Sequence, residues 1–511
     1  MSAKPLAGLK VVEFTHMVMG PAAGQILADL GDDVIKVEPV GGDATRRLLG
    51  SGAGYFPMYN RGKRSICLDL KLPSARAIAT ELATGSDILI ENFRPGAMDR
   101  LGLGHDALFA IHPRLIYVSE KGFLAGPYEA RTALDEVAQM MGGLAYMTGP
   151  PGRPLRAGAS VIDVAGGMFS VIGALAALAE RERTGKGQKV AAALFETTVY
   201  LVGQHMAQMA VTGKAAAPMP ARVSAWAIYD VFETADNDAV FVGVVTDALW
   251  EKFCALFDLQ DLWANPAWRA NNARVLARDT IMPLVRARLK LFTKTDLIAK
   301  LDGSGLPFAP IGRPEDLFDD PHLLASGGLA PVRLPDGTQT LLPLIPVELE
   351  GARPGAEGSL AGIGEHSEAI LRDVGRTAAD IAALKAAGAV ARLQNRLNTK
   401  NCQSHPSVPE INRNIFASAY VRNLTLLVPV QLRRNSSLTV RAKAEWFRPK
   451  HKIPHCMTLF PAQRKDQFNA RRGVIDRRCN RVFAGPYRRP WAAAGRGCGG
   501  GQRLHALCHH A

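Results

Sequence analysis

Short apolar runs alternate with longer segments of helical periodicity through the first 200 residues. Runs rich in valine, isoleucine and leucine that are bounded by polar or turn residues are typical of strands. They predict β-strands at residues 10–14, 34–37, 87–90, 115–118 and 189–193. Helical segments lie between them, for example at residues 21–30 and 74–83. Because alternating strands and helices form parallel sheets, residues 1–213 are predicted to be a large, open, Rossmann-like α/β domain.

The pattern changes after residue 213, where Pro218 and Pro220 mark a linker at residues 214–223. Alternating apolar residues and then helical periodicity predict a smaller α+β domain at residues 224–319. Residues 320–390 begin with a stretch rich in proline and glycine, which predicts a second linker. They end with helical periodicity at residues 365–388.

The charge of +14 is unevenly distributed along the 511 residues. Residues 391–511 hold 23 Lys/Arg and 4 Asp/Glu, a net charge of +19, so residues 1–390 carry −5. This basic tail lacks sustained periodicity, and we expect it to be disordered and to contribute nothing to the core or to catalysis. A nucleic-acid-binding or zinc-binding extension is the alternative. However, the tail's cysteines lack the short paired spacings of a zinc module, and we do not expect specific nucleic-acid binding.

The number of cysteines and the length of the apolar stretches indicate the cellular compartment of the protein. Only Cys67 and Cys254 lie before the tail, so no disulfide framework is indicated and we expect a reducing, cytoplasmic location. The longest apolar stretch, residues 164–179, is shorter than the roughly 20 residues that span a bilayer, and it predicts a buried helix rather than a membrane segment.

The glycine-rich loops at residues 41–42 and 50–54 lack the dinucleotide fingerprint, so we expect no nicotinamide site.

Asp163 is the main candidate for chemistry. It follows a β-like run at residues 159–162 and precedes a small-residue helix that contains Gly166 and Gly167. A helix N-terminus is expected to keep its carboxylate ionised, and the glycines to leave room for a substrate carbonyl. The alternative is that Asp163 only caps the helix.

Eight sequence motifs occur in an order and spacing that resemble the class III CoA-transferase family, also called CaiB/BaiF. The resemblance covers residues 5–390, and Asp163 stands where the family has its nucleophile. The motifs lie at residues 8–14, 20–21, 30–39, 60–66, 68–71, 91–96, 119–122 and 184–190.

The resemblance implies transfer of CoA from an acyl-CoA, such as succinyl-CoA, to a free carboxylic acid. The implied intermediates are an aspartyl anhydride and an aspartyl-CoA thioester at Asp163, with no permanently bound cofactor and no metal. It further implies an interlocked homodimer, with the last segment of the chain packing back on the large domain. The implied CoA-binding residues are Val18, Met19, Leu68, Lys71, Asn92, Phe93, Arg94, Ala97 and Arg100.

Two departures from the family pattern concern the substrate. Formyl-CoA:oxalate transferases have glutamine where this chain has Val18 and tyrosine where it has Leu134, so we expect an acceptor other than oxalate. We place Leu134, Asp135 and Met140 in the substrate pocket. One alternative is an acyl-CoA racemase or isomerase, which pairs the aspartate with a histidine; Leu134 holds that position here, and Asp135 or Glu136 would have to replace the base. Another alternative is a catalytically silent protein that binds CoA or nucleic acid.

Overall fold

The computed structural model describes residues 4–334, 336–355 and 359–391. Its centre is a parallel six-stranded sheet in the order β3-β2-β1-β4-β5-β6, which confirms the predicted open α/β architecture. The first and last strands have the predicted bounds, whereas the edge strand β3 was not predicted. The strands are β1 (Lys10–Phe14), β2 (Asp33–Glu38), β3 (Arg64–Cys67), β4 (Ile88–Glu91), β5 (Ile116–Lys121) and β6 (Lys189–Ala193).

Helices cover both faces of this sheet. Ala23 and Leu27 of α1, with Val171 and Ala174 of α8, pack on one face, and Ile78 of α3 packs on the other. The helices of this part are α1 (Met19–Asp29), α2 (Tyr55–Asn60), α3 (Pro73–Thr84), α4 (Ala97–Arg100), α5 (His105–Ile111), α6 (Asp135–Met141), α7 (Leu144–Thr148), α8 (Val161–Thr184) and α9 (Leu194–Thr212). Short 3₁₀ turns lie at Ala44–Arg47, Gly50–Gly54 and Met219–Ala221.

Helix α8 corrects two expectations from the sequence. It begins at Val161, so the run at residues 159–162 is not a strand. Gly166 and Gly167 are buried, and a Cβ on Gly167 would lie 2.8 Å from the carbonyl oxygen of Met19. The glycines therefore allow α1 and α8 to pack closely, rather than leaving room for a substrate. Among the described residues, α8 is the one helix long and apolar enough to span a membrane by length and composition alone.

A second hydrophobic core forms around an antiparallel sheet in the order β7-β8-β9. Trp250, Phe253 and Phe257 are fully buried in it. The elements are β7 (Tyr229–Glu233), β8 (Ala239–Gly243), β9 (Phe308–Pro310), α10 (Asp247–Leu256), α11 (Gln260–Ala264), α12 (Asn271–Leu276), α13 (Arg278–Leu289) and α14 (Lys294–Leu301), with a 3₁₀ turn at Pro266–Trp268.

The last described segment returns to the large sheet. The N–H of Asp69 donates to the carbonyl of Ala389 at 3.0 Å, and Ile370 joins the core beside β3. The helix predicted at residues 365–388 is two helices, because Gly375 between them has a φ of 82°. The elements are α15 (Pro321–Ala325), the hairpin β10 (Leu329–Arg333) and β11 (Gln339–Pro343), α16 (Ser367–Asp373) and α17 (Ala378–Ala386), after a 3₁₀ turn at Pro314–Asp319. The predicted basic tail lies outside the described residues, apart from Ala391.

Candidate functional site

The strand order reverses between β1 and β4, and open α/β sheets bind ligands beyond the carboxyl ends of the strands at such a point. A cavity of about 710 Å³ opens there. Its walls come from the segments after β1, β4 and β5 and from the starts of α6 and α8. Eight of the residues predicted from the sequence line it: Met19, Asn92, Phe93, Arg94, Arg100, Leu134, Asp135 and Asp163.

Asp163 is partly buried in the first turn of α8, and its carboxyl group is not used as a helix cap. Ser160 occupies the N-cap position but makes no side-chain capping bond. The N–H groups of Ile162 and Asp163 instead donate to Oδ2 of Asp135, at 2.9 and 3.2 Å. Within the part of the chain that the structure describes, the Asp163 carboxyl group accepts no hydrogen bond. It is therefore available to the cavity.

The ionisation of Asp163 differs from the sequence expectation. Burial and, to a smaller extent, the negative charge of Asp135 raise the pKa of Asp163 from 3.8 to about 7, although Arg156 partly offsets both. The helix N-terminus therefore does not keep Asp163 fully ionised, and the carboxyl group titrates near neutral pH.

Asp135 is buried, and all its hydrogen-bonding capacity is directed to the protein. Its Oδ1 accepts from Nε2 of Gln139 at 2.7 Å and from Nε of Arg156 at 3.0 Å. Arg156 also donates to the hydroxyl of Ser160 at 3.0 Å. With Oδ2 bound to the start of α8, Asp135 holds the polypeptide around Asp163. A carboxylate engaged in this way is poorly placed to exchange a substrate proton.

Asn92 joins the loops that follow β1 and β4. Its Oδ1 accepts the N–H of His16 at 3.0 Å, and its Nδ2 donates to the His16 carbonyl at 2.8 Å. The His16 ring lies 5.8 Å from the ring of Phe93, and burial lowers the pKa of His16 so that its ring is neutral at pH 7. The loops at the switch point therefore form one connected wall.

Two arginines place positive charge at the exposed edge of the cavity. Arg94 and Arg100 are exposed, and neither is in an ion pair with another described residue. Lys121 is different, because it donates to Glu91 at 2.6 Å and to the carbonyl of Phe93 at 2.9 Å. The two free guanidinium groups can thus bind anionic groups such as phosphates.

Other predicted residues lie away from the cavity lining. Leu68 is buried in the main core, and Val18 is buried directly before α1. Lys71 is exposed after β3, Ala97 begins α4, and Met140 is 47% exposed on α6.

Several lining residues were missed from the sequence. Some lie just beyond predicted strands: Glu120 and Lys121 follow the strand predicted at residues 115–118, a position that could have drawn attention to them. No group of three or more metal-ligating side chains occurs in the described ranges. The missed residues include His16, Met17, Tyr55, Glu120, Lys121, Arg131 and Arg156.

Comparisons with known proteins bear on this site. The sequence model described as CoA-transferase family III matches residues 6–367. The chain is 33% identical over 413 residues to the formyl-CoA:oxalate CoA-transferase of Streptomyces coelicolor, covering 76% of this chain and 100% of that protein. It is 31% identical over 388 residues to the succinate–glutarate CoA-transferase of Agrobacterium fabrum, covering 72% and 96%.

A solved structure shares the fold. The crystal structure of a CaiB/BaiF family protein from Brucella suis has 34% sequence identity and a TM-score of 0.64. The match covers 73% of this chain and 100% of the Brucella protein.

Proposed function

The chain belongs to CoA-transferase family III, and we propose that it moves CoA from an acyl-CoA to a free carboxylic acid with Asp163 as the covalent nucleophile. Proteins similar to it are named as transferases of this kind. The observation that carries the assignment is the unengaged Asp163 carboxyl group in a cavity where the neighbouring Asp135 is fully hydrogen-bonded.

The proposed reaction proceeds through exchange of acyl groups. An oxygen of Asp163 attacks the thioester carbonyl, the C–S bond breaks, and an anhydride and CoA thiolate form. The thiolate attacks the aspartyl carbonyl, which releases the donor acid and leaves an aspartyl-CoA thioester. The acceptor carboxylate displaces the thiolate to form a second anhydride. Thiolate attack on the acceptor carbonyl then gives the product acyl-CoA and restores Asp163.

Two arginines of the cavity lining suit the substrate. CoA carries a pyrophosphate and a 3′-phosphate, and neither Arg94 nor Arg100 is in an ion pair with another described residue. Lys71 is exposed nearby in sequence but outside the cavity lining, and we assign it a weaker, peripheral contact.

The acceptor is proposed to be a carboxylic acid other than oxalate. Leu134 lines the cavity and is 61% exposed, so it offers an apolar surface where a small dianion would need polar partners. A dicarboxylate with a methylene chain, such as succinate or glutarate, suits this surface better.

A homodimer in the cytoplasm is the proposed physiological form. Exposed apolar side chains on α8 and α9 support dimerisation: Met168, Ile172 and Tyr200 are 50%, 58% and 72% exposed. Apolar surface of this kind is typical of a protein–protein contact. Equilibrium sedimentation tests this part, and a monomer at micromolar concentration would contradict it.

Covalent trapping tests the function. Wild type, Asp163→Asn and Asp163→Ala are incubated with succinyl-CoA and hydroxylamine, and the modified peptide is identified by mass spectrometry. We expect label on Asp163 and loss of transfer in both variants with CoA binding retained. Asp106→Asn is the matched control, because this carboxylate lies in the first turn of α5 with its side chain 93% exposed. Label elsewhere, or an active Asp163→Ala, would refute the proposal.

The racemase alternative has a separate readout. Incubation of a branched acyl-CoA in deuterium oxide without an acceptor acid would introduce deuterium at the α-carbon if the protein were an isomerase. We expect none, because Asp135 is already bound by Arg156, Gln139 and the start of α8.

A further inference from the structure

Glu120 is another carboxyl group in the cavity that contains Asp163. It lies near the end of β5, on the sheet face that α1 and α8 cover, and it is 1% exposed. Its Oε2 is so close to the first turn of α1 that a Cβ on Gly20 would lie 2.9 Å from it. The glycine thus leaves space for this carboxyl group at the cavity floor.

Neither oxygen of Glu120 has a hydrogen-bond partner among the described residues. Two other buried glutamates on the same sheet are compensated by lysines. Glu13 is 2.9 Å from Nζ of Lys63, and Glu91 is 2.6 Å from Nζ of Lys121. Glu120 has no such cation within the described ranges, and a buried carboxyl group left in this state is costly unless it holds a proton or binds a ligand.

The surroundings of Glu120 favour its protonated form. Burial, together with the charges of Glu13 on β1, Glu91 on β4 and Asp163 on α8, raises the pKa of Glu120 to about 8. A hydrogen bond from Ser170 on α8 would lower this pKa, but the Ser170 hydroxyl donates to the Gly166 carbonyl at 3.0 Å rather than to Glu120.

More distant charges complete the surroundings. Lys36 and Lys63 are engaged with Glu13, and Asp135 is engaged with Arg156, while His16 lines the same cavity as a neutral ring. The first turn of α1 opposes the protonated state, because a helix N-terminus favours negative charge. The effect of burial without a counterion, which favours the protonated form of Glu120, is larger than this effect of the helix.

We propose that Glu120 is a further catalytic residue, a neutral acid that donates a hydrogen bond to the acyl oxygen of the substrate while Asp163 reacts. Attack at a carbonyl places negative charge on its oxygen, and a fixed donor in a water-poor cavity stabilises that charge. The proton stays on Glu120, so every bond made or broken remains between Asp163, the acyl groups and sulfur. The assignment rests on the proposed transferase function.

Two substitutions at Glu120 distinguish the effect of losing the hydrogen-bond donor from the effect of changing the side chain. Glu120→Leu removes the donor, and we expect the turnover number to fall about 100-fold, the scale seen when one donor to an oxyanion is lost. Glu120→Gln keeps an N–H donor that cannot ionise, and we expect turnover within about tenfold of wild type at pH 7. Glu182→Gln on α8, with its side chain 74% exposed, is the control.

The pH profile gives a readout that a merely structural role would not move. Wild-type turnover should fall above about pH 8, where Glu120 loses its proton, whereas Glu120→Gln should stay level to higher pH. A Gln variant as slow as the Leu variant, a fully active Leu variant, or an unchanged alkaline fall in the Gln variant would each overturn the proposal.

Infrared difference spectroscopy tests protonation without turnover. Subtracting the Glu120→Gln spectrum from that of wild type at pH 7 should leave the carbonyl band of a protonated carboxylic acid, and this band should shift when acetyl-CoA binds. An ionised carboxylate band instead would overturn the assignment. If wild type transfers CoA through Asp163 but these tests fail, only the role of Glu120 is refuted. If no label reaches Asp163, the transferase mechanism itself fails.

Discussion

Asp135 accepts the backbone N–H of Asp163 at 3.2 Å, so the first residue of α6 positions the proposed nucleophile at the start of α8. The same relationship affects ionisation, because the negative charge of Asp135 raises the pKa of Asp163. One buried side chain therefore affects both the position of the nucleophile and, beside the larger effect of burial, its protonation.

Removing Asp135 should loosen the start of α8. Asp135→Ala leaves two helix N–H groups and Arg156 without their acceptor, so we expect the free energy of unfolding to fall by about 2–4 kcal/mol. Misplacement of Asp163 should also slow transfer about 100-fold. Urea unfolding measures the loss of stability, and steady-state kinetics measure the slower transfer. Glu136→Ala, an exposed neighbour in the same helical turn, is the control, and equal stability of the two variants would contradict the prediction.

Transfer should increase with pH through about pH 7. The nucleophile is the ionised form of Asp163, whose pKa is raised to about 7 by burial and by Asp135. Below that value, kcat/KM should fall about tenfold per pH unit. The measurement is a pH profile with a single acyl-CoA and acceptor acid. An acid limb centred near pH 4 would show that Asp163 titrates as an ordinary aspartate.

Asp163→Asn should stabilise the protein at neutral and alkaline pH. The folded-state pKa of about 7 exceeds the unfolded value of 3.8, so wild-type stability decreases as pH rises between these values and stays reduced above them. The amide removes this cost, which we expect to be about 1–3 kcal/mol after screening by water in the cavity. Thermal unfolding at pH 8 and at pH 4 tests the difference, and an equal gain at both would contradict it.

Loss of either free arginine should weaken acyl-CoA binding more than it slows chemistry. Arg94→Ala and Arg100→Ala remove contacts to phosphates that are alike in ground and transition states, so KM should rise about tenfold with kcat within about threefold. The salt dependence of KM should weaken as well. Arg183→Ala, with its side chain 74% exposed and paired with Glu180, is the control. Unchanged KM values would exclude both residues as phosphate ligands.

Gly24 should resist substitution by alanine. A Cβ there would overlap Oε2 of Glu13, which is buried and held by Lys63 and Lys36, so the carboxylate has little freedom to move. We expect Gly24→Ala to cost about 2–4 kcal/mol in unfolding free energy. Gly203→Ala in α9 is the control, because no atom lies within 4 Å of its Cβ position. A similar response of both variants in urea unfolding would refute the steric explanation.

The sequence by itself determined the α/β class, the bounds of β1 and β6, and Asp163 as the main candidate. These features depend on residues that are adjacent in the sequence. Apolar runs between turn residues specify strands, and the motifs around Asp163 are contiguous. The edge strand β3 was missed, since Arg64–Cys67 is short and begins with a charged residue.

Only the tertiary structure decided how the polar groups of the site are paired. Asp135 and Asp163 are 28 residues apart, and nothing local indicates that one binds the N–H of the other. The same holds for Glu120, whose neighbours come from separate strands and helices. A pKa or a hydrogen bond depends on which distant groups the fold brings within a few ångströms, whereas a local pattern records only which segments are apolar.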